Sequence, residues 1–290
     1  MLSALLMAAT SGAAGAAALL PLHLEEAATL PSGTAEATLG ASYFDGLRFP
    51  PFTRDADPSE TGLGRAHSQS LLAAPQLGFR IAAGNWAEIQ AAFEMLLLHE
   101  TRPDEGTVTQ FGTGDARLFT KVSIIRERRI VPAFGFRFGT KLPNANRKDR
   151  LGTDDVDFGA DVLASKYLGP VGVHANLGLQ LLGNPGPTAG QDDLFSYTIG
   201  FATRPLGKNA PGATQVRFLG EIDGLTGSRF DNARSAARLG VQFRGPVLAW
   251  FAGVSAGLIH QSENVGFSTG VIWTFQPASL FGDGGESSRQ

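Results

Sequence analysis

The sequence predicts an all-β protein, a single antiparallel up-and-down transmembrane β-barrel of about 12 strands. Three observations lead there. Apolar and polar side chains alternate with a period of two from Thr34 to Phe275, the connections between alternating stretches sort into short and long, and the last stretch ends on a row that closes with an aromatic residue. Side chains of a strand point alternately to its two faces, so each stretch has one greasy face and one charged face. In the stretch from Val131 to Leu142, Phe134, Phe136 and Phe138 share one parity and Arg137, Gly139 and Lys141 the other.

Strands are expected near 34–43, 70–83, 86–98, 113–127, 130–142, 154–168, 171–183, 193–206, 213–225, 233–245, 247–260 and 263–275. Each is justified by its parity. Arg80 opposes Phe79 and Ile81; Glu88, Gln90 and Glu94 oppose Ile89, Phe93 and Met95; Asp115, Arg117 and Lys121 oppose Leu118, Val122 and Ile124. Asp155, Asp157 and Asp161 oppose Val156, Phe158 and Val162, and His174, Asn176 and Gln180 oppose Val173, Leu177 and Leu179. Arg217, Glu221 and Asp223 oppose Val216, Phe218 and Ile222, while Arg234, Arg238, Gln242 and Arg244 oppose Leu239, Val241 and Phe243. The eleventh stretch is the weakest, because Phe251 and Ile259 fall on the polar parity. An Arg or Lys at the bilayer midplane on a lipid-facing wall costs about 2–4 kcal/mol, so the charged faces must line the inside.

Short turns are expected at Gly84-Asn85, Arg128-Arg129, Gly169-Pro170 and Gly245-Pro246, a modest loop around Gly207 to Gly212, and long connections at 44–69, 99–112, 143–153, 184–192 and 226–232, with the last hairpin near Gln261-Ser262 an exception to the trend. Such sorting is what an outer-membrane barrel shows, with short periplasmic turns and long outer loops. An even strand count puts both ends of the barrel on the periplasmic side. Val265, Phe267, Thr269, Val271, Trp273 and Phe275 form the closing row. Trp86, Tyr167, Trp273 and Phe275 are expected at the periplasmic girdle, and Tyr43, Phe111, Phe158 and Phe195 at the outer one; the alternative is that these are ordinary core aromatics.

Composition agrees. Only 18% of the 290 residues are charged, the formal net charge is −3, there are 37 glycines and no cysteine. No basic stripe interleaved with aromatics is present, so a nucleic-acid partner is not expected. Lack of cysteine removes disulfides, thiolate metal sites and a cysteine nucleophile. Leu2, Leu5, Leu6 and Met7 followed by small residues and Ala14-Gly15-Ala16 read as a signal peptide over residues 1–18, although no Lys or Arg precedes the apolar run. The barrel is assigned 19–275 and a disordered polar tail 276–290.

The runs GTGDARLFTKV, VPAFGFRFGTKLPNA, LGTDDVDFGADVLASKYLGP and VHANLGLQLLGNPG resemble the Gram-negative outer-membrane proteins known as phenol meta-pathway (MetA-pathway) transporters. That resemblance implies passage of small, aromatic solutes across the outer membrane and carries no catalytic residues with it.

The lumen parity itself nominates the residues that would shape transit: Arg117, Lys121, Arg137, Lys141, Asp155, Asp157, Asp161, Arg217, Glu221 and Arg238. Arg117 and Lys121 beside Arg137 and Lys141 can face Asp155, Asp157 and Asp161 on the adjoining strand. Charged ladders of this kind line a narrow aqueous path, or close the barrel as an internal salt-bridge network. Twelve strands enclose less space than a sixteen-stranded porin, so a narrow or plugged lumen is expected.

Enzyme readings are weaker. His67-Ser68 has no acid spaced to orient the imidazole, and His174 lies on the lumen parity, away from lipid. Asp154-Asp155 and Asp192-Asp193 read as hydrated loop charge rather than calcium ligands. Gly112-Thr113-Gly114 lacks the strand-to-helix context of a phosphate loop. The loop from Pro50 to Glu60 is either an inward constriction or an external loop. The expected function is therefore non-enzymatic passive translocation without a cofactor, with outer-membrane lipid, the barrel-assembly machinery and a small solute as partners. A closed structural or adhesive barrel is the second reading, and an outer-membrane lipid hydrolase the third.

Overall fold

The structure, a computed structural model, describes residues 20–47, 68–102, 106–145, 151–152, 155–183, 193–207, 213–227, 233–260 and 262–277. The expected signal peptide, His67, Asp154, Asp192, the loop from Pro50 to Glu60 and nearly all of the tail lie outside these residues. Thirteen strands form one sheet: β1 (Ala35–Asp45), β2 (Ser68–Ala83), β3 (Ala87–Arg102), β4 (Gly106–Thr113), β5 (Ala116–Ile125), β6 (Ala133–Leu142), β7 (Asp157–Leu168), β8 (Val171–Leu181), β9 (Asp193–Thr203), β10 (Gln215–Gly227), β11 (Arg234–Arg244), β12 (Leu248–Gly257) and β13 (Val265–Phe275). Every neighbour is antiparallel, and β1 pairs with β13 from Ala35↔Phe275 to Asp45↔Val265, which closes the ring. Closure satisfies the backbone groups that an open edge would leave facing hydrocarbon.

The thirteen strands make a twelve-stranded barrel because β4 and β5 share one position. β5 pairs with the periplasmic half of β3 (Ala87↔Val122 to Ala92↔Arg117) and β4 with its outer half (Met95↔Thr113 to Arg102↔Gly106). The strand expected over 113–127 is found as β5, and much of the loop expected over 99–112 is corrected to the end of β3 and most of β4. The break has a local cause. Gly114 N–H still donates to Glu94 O at 2.9 Å, but the Asp115 carboxylate turns to accept the N–H groups of Asn144 and Ala145 at 3.1 and 3.0 Å. The ladder gives way to a loop held by a side chain.

Outward and inward faces separate as the parity requires. Phe138, Phe158 and Leu239 are 46, 58 and 60% exposed on the outer wall, whereas Lys121, His174 and Gln242 are fully enclosed on the inner one. An irregularity in β2 between Ala73 and Gln76, at Pro75, reverses the parity. Beyond it Leu71 and Ala73 turn inward and pack with Leu47, Leu96, Leu98, Ala145 and Leu151, an apolar patch inside the outer end of the barrel. A one-residue slip flips every following side chain, so a strict alternation could not place them.

Phe251 does face the interior, and glycine makes room for it. Its ring lies over Gly40 of β1 and Gly270 of β13; a Cβ on Gly270 would stand 2.6 Å from Phe251 Cζ. Ile259 lies past the end of β12, off the alternation. The outer girdle residues Tyr43, Phe111, Phe158 and Phe195 are exposed on the outer wall, and Trp273 stacks on Phe275 at 4.5 Å at the periplasmic rim. Tyr167 is a correction: it shares its parity with Asp161 and points inward, edge-on to His174 at 5.7 Å.

Phe138→Arg places a cation on the hydrocarbon face near the middle of β6. It should destabilise the barrel by about 2–4 kcal/mol in urea unfolding from lipid bilayers, whereas Phe138→Leu should cost less than about 1.5 kcal/mol.

Candidate functional site

The interior is shaped by residues to which alternation assigns nothing. The segment from Leu20 to Thr34 precedes β1 and runs inside the barrel as a strap. Its contacts follow the wall in order. Gln242 of β11 donates to Leu20 O at 2.7 Å, Glu221 of β10 accepts the N–H groups of His23 and Leu24 at 2.9 and 2.8 Å, and Asn176 of β8 accepts Glu25 N–H at 2.8 Å. Ser165 of β7 then accepts Ala27 N–H at 2.9 Å, and Glu88 of β3 accepts Leu30 N–H at 2.7 Å. Leu22 and Leu24 bury against Ala202 and Leu219, and Ala27 against Ala133 and Leu163. Small wall residues give the strap room; carbon added to Gly253 or Gly240 would run into Pro21.

Glu25 bridges the bore. Its carboxylate lies 3.1 Å from Lys121 Nζ, 3.5 Å from Arg137 Nη1 and 4.0 Å from Arg80 Nη2, while its backbone is held by Asn176. Arg80 is on β2 and Asn176 on β8, nearly opposite each other in a ring of twelve. One residue therefore touches both walls. Burial alone would raise the Glu25 carboxyl above its ordinary range, but Lys121, Arg80 and Arg137 together hold it down at about 2. The only sequence signal for this element was an acidic pair, Glu25-Glu26, set in an apolar stretch bounded by Pro21 and Pro31.

The ten nominated residues fall into four groups. On the β5–β7 wall the register is Arg137↔Asp161 and Lys141↔Asp157, with ion pairs of 2.8 and 2.9 Å. Arg117↔Lys141 and Lys121↔Arg137 are like charges in register, which would repel. Each finds other partners: Lys121 meets Glu88 at 3.0 Å, Arg117 meets Glu94 at 3.5 Å and Lys141 meets Asp115 at 3.0 Å. Asp155 is not part of the ladder; it precedes β7, and its enclosed Oδ2 has no hydrogen-bond partner. Across the bore, Arg238 of β11 binds Asp223 at 2.8 Å, Glu263 at 3.3 Å and Glu221 at 3.5 Å. Arg217 of β10 stands apart, its Nε donating to Thr203 O at 2.9 Å. Sequence parity missed Arg80, Glu88 and Glu36 as a group; they join when Arg80 meets Glu88 at 2.6 Å and Glu36 at 3.2 Å.

His23, Glu221 and Asp223 bring three ligand atoms within 4.8 Å of one another. Arg238 engages both carboxylates, Glu221 also accepts the His23 and Leu24 N–H groups, and the His23 ring bonds Asp223 at 3.3 Å, so the trio serves as an anchor for the strap. His174 is fully enclosed beneath the strap, its Nδ1 bonded to Ser165 Oγ at 2.8 Å.

No protein-family model and no curated protein matches this sequence. Among solved structures, the chain is similar to a COG4313 outer membrane channel from Pseudomonas putida F1, with a TM-score of 0.61 at 12% identity, over 86% of this chain and 97% of that one. It is also similar to the translocator domain of the autotransporter NalP from Neisseria meningitidis, with a TM-score of 0.50 at 13% identity, over 84% of this chain and 89% of that one. At these identities the likeness is one of fold: this chain has the fold of an outer-membrane β-barrel.

A carboxylate held low stabilises the strap above its ordinary range near 4.5, and that contribution is lost as pH falls toward about 2. Hydrogen-exchange protection of the His23, Leu24, Glu25, Ala27 and Leu30 amides should therefore be constant from neutral pH to about pH 5 and fall only between about pH 4 and 2. Glu25→Gln removes the charge and should reduce that protection at neutral pH by about 1–3 kcal/mol.

Proposed function

We propose that this chain gives passive passage across the outer membrane to small solutes, aromatic compounds among them, through its charged lumen. The observation that carries the reading is the division of one closed sheet into a hydrocarbon-facing wall and an inner wall of paired charges. Arg117, Lys121, Arg137, Lys141, Asp157, Asp161, Arg217, Glu221 and Arg238 are then the side chains that passing solutes meet. The resemblance in strand texture supports the aromatic part of this reading, and the inner wall of paired charges supports the aqueous, passive part.

Passage requires the strap to move, because Glu25 bridges opposite walls. Its attachment suits that role. The strap's backbone anchors are wall side chains, Glu221, Asn176, Ser165 and Glu88, rather than a strand ladder. Such contacts can be exchanged one at a time for water, each at a modest net cost of about 0.5–3 kcal/mol. The same bridging favours a second reading, a permanently closed structural barrel.

Planar-bilayer recording separates the two. The intact protein should show small, intermittent conductance, and deletion of residues 20–30 should raise it several-fold and make it continuous. Silence from both proteins at all voltages would defeat the channel reading and leave the closed barrel.

A further inference from the structure

The inner-wall cations divide into two kinds. Arg80, Lys121, Arg137, Lys141 and Arg238 each meet a carboxylate at 3.2 Å or less. Arg217 and Arg244, at the periplasmic ends of β10 and β11, meet none within 4.0 Å among the described residues, and neither does Arg204 just past β9. Arg217 is only 3% exposed. It gives its Nε to a backbone carbonyl and its Nη2 to Tyr167 Oη at 3.5 Å. Arg244 keeps an enclosed Nη1 with no hydrogen-bond partner, and so does the neighbouring His174 at Nε2. Arg204 lies over the Tyr167 ring at 4.9 Å. The register pairs Gln215 with Arg244 and Arg217 with Gln242, so the two arginines are diagonal neighbours on one inner face. A buried guanidinium without a counter-charge is costly, and buried Arg217 here adjoins the half-buried Arg244.

The acidic group nearest this pair belongs to the strap. Glu26 accepts the Tyr167 hydroxyl at 3.0 Å, and that same hydroxyl is the partner of Arg217 Nη2 at 3.5 Å. Glu36 is already committed to Arg80 at 3.2 Å. Glu25, one residue earlier, is in a different position. Without it, Arg80, Lys121 and Arg137 would still face Glu88, Glu36 and Asp161, three charges against three. Without Glu26, no carboxylate among the described residues would accept the Tyr167 hydroxyl beside Arg217.

We propose that Tyr167, Arg217 and Arg244 form a receptor for a solute carboxylate at the periplasmic end of the lumen, and that Glu26 occupies it as an internal substitute. The planar, multiply donating guanidinium suits a carboxylate, and the hydroxyl of Tyr167 supplies a third donor. A solute carrying a carboxylate competes with Glu26 and, in binding, frees the strap. The proposal rests on the channel reading and names its solute class: small, aromatic or aliphatic carboxylates.

The test is calorimetric titration of the whole purified barrel in neutral detergent with sodium benzoate, with benzamide as the uncharged isostere and inorganic phosphate as the competing oxyanion. Benzoate should bind at least about tenfold more tightly than benzamide, and Glu26→Gln should tighten benzoate about tenfold while tightening benzamide much less. Arg217→Met and Arg244→Met should each weaken benzoate about tenfold, with the heat-modifiable gel shift confirming an assembled barrel. Should either arginine variant fail to assemble, Glu26→Gln titrated with benzoate and with benzamide decides alone. Equal binding of benzoate and benzamide, or no gain in Glu26→Gln, would overturn the proposal. Phosphate outcompeting benzoate would overturn the carboxylate assignment. A barrel that conducts but does not bind benzoate would sink this inference alone, whereas one that binds benzoate but never conducts would sink the channel reading alone.

Discussion

The structure depends on one constraint: a sheet that touches hydrocarbon must have no edge. Pairing β1 with β13 meets it, and the rest follows. With the ladder closed, successive residues of each strand look into different solvents. Hydrophobic side chains such as Phe138 and Leu239 take the outside, and charges between the two rims take the inside; Lys166, on the outward parity of β7, lies at the periplasmic rim and meets Glu127 at 2.9 Å. The alternation that dominates the sequence is the imprint of that closure.

A ring of twelve strands is narrow, so charges sent inward cannot avoid one another. Like charges in register, Lys121 with Arg137 and Arg117 with Lys141, are tolerated because each side chain reaches a carboxylate on a further strand. The wall also accommodates bulk at close range. Phe251 lies over two glycines of neighbouring strands, and the strap's Pro21 sits against two more. Packing and charge pairing in the interior are thus a single problem, solved by small residues where the strap or a ring must pass and by acids where cations crowd.

The strap joins these requirements to function. Its two acidic residues do different work: Glu25 links opposite walls, whereas Glu26 accepts the hydroxyl of Tyr167, which Arg217 also meets. An element held chiefly by side-chain anchors can leave without unzipping the sheet. On the channel reading proposed above, a solute passes once this element has moved.

The walls were legible in the sequence because their rule is local. A period of two can be read over ten residues, and it placed Lys121, Arg137, Asp161, Arg217 and Arg238 on the inner face. It failed where the period itself shifts or is misapplied: past the β2 irregularity, at the Gly114-Asp115 break, and at Tyr167, whose aromatic character suggested a girdle although its parity pointed inward. What the sequence determined by itself is the barrel, its approximate strand count and the sorting of solvents, since these depend on residues two apart. What only the tertiary structure decided is the contents of the lumen. Glu25 meets Lys121 and Arg137 across 96 and 112 positions of chain, and Gln242 reaches Leu20 across 222. No periodicity encodes such meetings, because they arise only when a closed ring brings distant strands within the reach of one side chain.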